Sequence, residues 1–135
     1  MSNGTKVTNL GLANIVAAEV AYTGVPKYIG WGIGTTTPIV TATDLASAAT
    51  HEARTTGTPS SQLTTVANDT LRITGTVTCL TAGKAITEAA LFDGAGTGTP
   101  PSGAVMFVKT VFDVINVAIG DGIAFTFNTA FSDNS

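Results

Sequence analysis

Few side chains in this 135-residue chain could do chemistry, and they do not gather into a recognisable set. The one histidine, His51, has Glu52 beside it and Arg54 close by. A general base needs a nucleophile or an orienting carboxylate within reach. A zinc site needs three or four His, Cys or carboxylate ligands. One His and one Cys in the whole chain supply neither arrangement, so His51 is read as structural. Asp93 and Asp121 each precede a glycine, and this is ordinary turn chemistry, without the alternating acidic ligands of an EF-hand loop. The glycine-dense run Gly30–Gly34 (G-W-G-I-G) lacks the lysine and hydroxyl residue of a phosphate-binding loop, and Gly94–Thr99 (G-A-G-T-G-T) follows no βαβ unit. Glycines in a strand mark instead a bulge or a close backbone approach. The residue that asks most for an explanation is Glu88, mid-strand among Ile86, Ala90 and Phe92. A buried carboxylate must be paired, and the expected partners are Arg54, Arg72 or backbone N–H groups. Catalytic, cofactor-binding and metal-ligating residues are therefore assigned as none, and the expectation is a non-enzymatic protein without a cofactor.

Composition narrows the partners. Charged residues make up 11% of the chain against about 25% in ordinary soluble domains. Mean hydropathy is +0.35, yet no apolar run reaches the roughly 18 residues needed to span a bilayer, so no membrane span is expected. Such a chain needs cover for its surface, which points to oligomerisation or docking on a larger assembly. The net charge is −3, and the 6 basic residues (Lys6, Lys27, Arg54, Arg72, Lys84, Lys109) form no stripe, so no nucleic acid partner is expected. A single cysteine excludes an internal disulfide, and Cys79 is read as a small buried hydrophobe. No continuous apolar segment follows Met1–Lys6, which places assembly in the cytoplasm.

The elements that must position these residues are mostly strands. Asp69–Leu80 sends Leu71, Ile73, Val77 and Cys79 to one face and Arg72, Thr74, Thr76 and Thr78 to the other. Ile123–Phe131 alternates in the same way through Phe125 and Phe127. A period of two is that of a half-buried strand. Further strands are expected at Lys27–Ile33, Gln62–Ala67, Ala85–Phe92 and Ala104–Phe112, and Glu52–Ser61 is read as loop or edge strand. Thr8–Ala21 reads as a helix capped by Thr8, and Asp44–Ala49 as a single helical turn. Gly34–Thr43 is expected to be an extended loop, Asp93–Gly103 a long exposed connection, and Asn116–Gly122 a turn-bearing link. Short strands separated by turns, without βαβ alternation, predict an antiparallel β-sandwich or jelly-roll-like domain with a short N-terminal helix. Residues 1–7 form a flexible arm in this reading and residues 8–135 one domain. The expected core holds Trp31, Leu71, Ile73, Val77, Phe92, Phe107, Phe125 and Phe127.

Several segments, taken in order, carry a family resemblance. They are Y-I-G-W-G-I-G-T-T-T-P from Tyr28, T-D-L-A from Thr43, E-A-R-T-T-G-T-P-S-S-Q from Glu52 and N-D-T-L-R-I-T-G-T-V-T from Asn68. They continue through A-I-T-E-A-A-L-F-D from Ala85 to V-F-D-V-I-N-V-A-I-G-D-G-I-A-F-T-F from Val111. From Tyr28 to Phe131 the chain resembles small phage virion proteins labelled tail-fibre-like or capsid decoration (cement) proteins. The resemblance implies a virion location, the major capsid protein or another virion protein as partner, and a homo-oligomer. A trimer is the implied order. The alternatives are a tail or head-fibre subunit and, from another class, a carbohydrate-binding surface module using Trp31, Tyr22 and Tyr28. The arm Met1–Val7 and the loop Gly34–Thr43 are the expected docking elements, and Asp93–Gly103 is expected to face solvent or an adjacent copy.

Overall fold

The structure, a computed structural model, describes residues 8–22, 24–48, 53–63 and 67–131. The arm 1–7, His51 and Glu52 lie outside the described residues. Helix α1 (Asn9–Ala21) begins where Thr8 Oγ1 accepts a hydrogen bond from Gly11 N at 3.0 Å, satisfying one of the donors that every helix start leaves open. It buries Leu12 and Val16. Among the described residues seven strands follow: β1 (Tyr28–Gly32), β2 (Thr55–Thr56), β3 (Thr58–Gln62), β4 (Thr70–Thr78), β5 (Lys84–Phe92), β6 (Met106–Val117) and β7 (Gly122–Ala130). They form two antiparallel sheets, ordered β2-β1-β5-β6 and β3-β4-β7. The fold is thus mainly β, a two-sheet sandwich with one N-terminal helix.

The alternation read in β4 decides how the sheets stack. Leu71, Ile73 and Val77 are buried, and the glycine between them, Gly75, leaves room for Ile29 of the opposite sheet. One core cluster joins these residues to Val16, Val25, Ile29, Trp31, Cys79, Ile86, Leu91 and Val117. Chain passage between the sheets is abrupt at Gly57, the only residue between β2 and β3. A Cβ there would come 2.7 Å from Ile73 Cγ2, 2.9 Å from the Thr74 oxygen and 3.0 Å from the Lys27 oxygen. Only glycine allows this corner.

Three sequence expectations need correction. Phe107, expected in the core, is 41% exposed, because a register shift between Leu91 and Phe92 lets β5 pair with Val108 and Met106 and skip Phe107. Asp44–Ala48 forms no helical turn: Ala48 bridges Gly32 as an isolated β-pair, and Ser47 accepts from Ile33 N. Of the strand expected at Gln62–Ala67, residues 64–66 lie outside the described residues; β3 ends at Gln62, opposite Thr70, the first residue of β4. Strand β6 reaches Val117 rather than ending at Phe112, because Lys84, Ala85 and Ile86 pair with Val117, Asn116 and Ile115. The link to β7 shrinks to the turn Ala118–Asp121.

Candidate functional site

Glu88 is fully buried on β5, on the sheet face turned away from the other sheet. Its Oε1 accepts from Gly34 N at 3.1 Å and Ser47 N at 2.8 Å, and its Oε2 accepts from Ala46 N at 3.1 Å. Lys109 Nζ, from the neighbouring strand β6, lies 3.3 Å from Oε2. Burial alone would raise this carboxyl. The N–H groups of Ser47 and Ala46 and the Lys109 ammonium outweigh burial and hold it below the ordinary carboxylate range. Two of the three glycines of G-W-G-I-G have their explanation here: a Cβ on Gly32 would stand 2.5 Å from Glu88 Oε1, and one on Gly34 2.6 Å from it. The adjacent Thr87 hydroxyl donates to Gly34 O at 2.7 Å. Together these bonds tie both ends of the segment 34–47 to the sheet.

The backbone part of the Glu88 expectation therefore holds, and its side-chain part does not. Arg72 donates instead to Asn128 across the β4–β7 ladder at 2.8 Å. Arg54 lies over the Phe92 ring, 3.4 Å from its centroid, and donates to Gly94 O and Gly103 O. It thereby holds the two ends of the Asp93–Gly103 connection. Burial draws its guanidinium below its ordinary value against the pull of Asp44 and Asp93, yet it stays charged. Among the described residues its Nη2 and Trp31 Nε1 are buried donors without a hydrogen-bond acceptor, with Asp44 Oδ1 lying 3.9 Å from Nη2. Both residues line a cavity of about 10 Å³, roughly the space of one water and too small for an organic substrate. Sequence reasoning missed Lys109, although a lone lysine inside an apolar strand demands an anion nearby.

The remaining candidates are structural. Asp93 Oδ1 accepts from Val105 N and Asp121 Oδ2 from Ala118 N, which is turn capping. Cys79 is buried, with Sγ 3.2 Å from Ala82 O. Among the described residues no group of three His, Cys, Asp or Glu is placed to hold a metal, and no helix is long and apolar enough to cross a membrane.

What stands out on the surface is apolar. Ile39 and Val40, at the tip of the loop that Glu88 anchors, are exposed, Val40 completely at 103%. Beside them lie exposed Val105 and Phe107, and Pro38–Ala42 and Met106–Lys109 line one shallow depression. No protein-family model, curated protein or solved structure matches the chain.

Proposed function

We propose that the protein is a non-enzymatic structural component of a phage virion, a capsid decoration protein that docks on the major capsid protein through the loop 34–43. The observation that carries this reading is the way that loop is built. Gly34 at its start, and Ala46 and Ser47 just beyond its end, donate backbone bonds to Glu88, while its tip presents Ile39 and Val40 to solvent. A rigidly held apolar tip presents contact area at low ordering cost, which suits a docking element rather than a catalytic one. Low charge supports the same conclusion, because so weakly charged a surface needs cover. The carbohydrate reading loses its main aromatic, since Trp31 is 3% exposed and cannot stack on a sugar ring. The resemblance supplies the phage setting, and head rather than tail is the choice made here.

Antibody labelling of intact particles from cells expressing the protein tests the placement. Label over the head is expected; label confined to tails, or none, overturns it. Val40→Asp should leave the fold intact, as the side chain touches nothing that it supports, and should reduce occupancy on particles at least tenfold. Unchanged occupancy would remove the loop from the interface.

A further inference from the structure

The segment 34–47 covers charge and gains little apolar contact by doing so. Glu88 is fully buried, and the Lys109 side chain is 5% exposed although β6 is an edge strand. The segment lies against this lysine, since Pro38–Ala42 and Met106–Lys109 line one shallow depression. Yet residues 35–41 are all exposed, and no side chain from 34 to 47 joins the hydrophobic core cluster. Packing beneath it is incomplete: Asp44 and Leu45 border a void of about 10 Å³ against Gly30 and Arg54. What fastens the segment is polar and sits at its two ends. Gly34, Ala46 and Ser47 donate to Glu88, Ile33 N donates to Ser47 O at 2.8 Å, and the Thr87 hydroxyl donates to Gly34 O. Between the ends the bonds are local, Ala42 N to Ile39 O and Leu45 N to Asp44 Oδ1, and Asp44 stays 3.9 Å from Arg54.

We infer that the segment 34–47 is a strap, which opens as one unit on the intact sandwich, uncovers Glu88 and Lys109, and closes again on the carboxylate. Opening exchanges a few polar bonds for bonds to water and returns hydration to two charges whose burial is costly. It exposes little apolar surface, the term that holds the sheets together. Segments with few buried apolar contacts open at free energies below that of global unfolding. The strap moves as a unit because one carboxylate takes donors from both of its ends, so a Glu88 side chain that turns to water drops Gly34, Ala46 and Ser47 together. The sandwich stays folded, because β1 keeps its ladder with β5 and the core cluster draws nothing from the strap. The two states offer different surfaces on one face: the apolar tip Ile39–Val40 when closed, a carboxylate and a lysine when open. This device belongs to the chain alone and does not depend on the virion reading.

Amide hydrogen exchange in the native full chain tests it. The N–H groups of Ile33, Gly34, Ala46 and Ser47 should exchange as one set, at least about a hundredfold faster than those of β4. Low urea should leave the rate of that set unchanged, whereas the β4 amides, which wait for global unfolding, should speed up steeply. Lys109 should be acylated by an N-hydroxysuccinimide ester at a rate equally insensitive to low urea. Glu88→Gln should cost the four amides about a hundredfold in protection, through loss of the buried charge pair. Val40→Asp, at the exposed tip, should leave them as they are. A urea dependence shared with β4, unrelated rates within the set, acylation of Lys109 only on global unfolding, or equal effects of the two substitutions would each overturn the inference.

Discussion

At the residue scale, Glu88 shows how one buried charge can organise a surface. Its three backbone bonds and the Lys109 contact tie the chain from Gly34 to Ser47 onto β5. Removing the charge leaves the Lys109 ammonium buried without a counterion, a type of change that costs about 3–5 kcal/mol. Glu88→Gln should accordingly lower the midpoint of urea unfolding at pH 7 by an amount equivalent to about 3 kcal/mol. The pH dependence has a definite sign. A carboxyl whose folded value is depressed stabilises the fold above its unfolded value, about 4.3, and that stability is lost as pH falls through the folded value. Thermal melts of the native chain should drop below about pH 4, and those of Glu88→Gln should be flatter there. The need of this residue for partners was legible in the sequence, because an acid amid Ile86, Ala90 and Phe92 cannot stay unpaired. Its partners were not, because Ala46 and Ser47 reach it through a loop without periodicity, and Lys109 through a pairing that sequence spacing does not encode.

At the element scale, period-two patterning located β4, β5 and β7 to within a residue or two, since each has one face on the core and one away from it. It failed where strand pairing breaks its own rhythm. The register shifts opposite Ile86–Glu88 and Leu91–Phe92 put Phe107 outside and stretch β6 to Val117, and nothing in a strand's own residues announces a bulge on its neighbour. Asp44–Ala49 looked like a capped helical turn, but Glu88 claims the N–H groups of Ala46 and Ser47 from outside the segment. Gly57 sits in G-T-P, legible as a breaker but not as a corner between sheets. Gly57→Ala should destabilise by about 1–3 kcal/mol through contact with Ile73 Cγ2 and two carbonyl oxygens. The exposed neighbouring change Thr56→Ala should stay within about 0.5 kcal/mol, both read from denaturant midpoints.

At the scale of the whole molecule, low charge, an apolar loop tip and one long edge without proline leave much apolar surface uncovered. The fold class was legible because seven short runs, divided by turns and never alternating with helices, leave little but an antiparallel sandwich. The place of the long edge was not, since which strands lie at an edge depends on sheet order and not on local pattern. That order has a consequence for how the chain is made. Trp31 waits for Ala89, and Ile73 for Phe127, before either strand is paired on both sides. Pairings so distant in sequence close slowly, on a scale of about milliseconds to seconds. During synthesis one ladder edge of β4 must stay unpaired until β7 has emerged. A chain halted at Val117 should be insoluble and protease-sensitive, whereas the full chain should refold from urea in one slow phase followed by Trp31 emission. Strand β7 is thus the latch, and the time before it closes is when this protein is most at risk of aggregation.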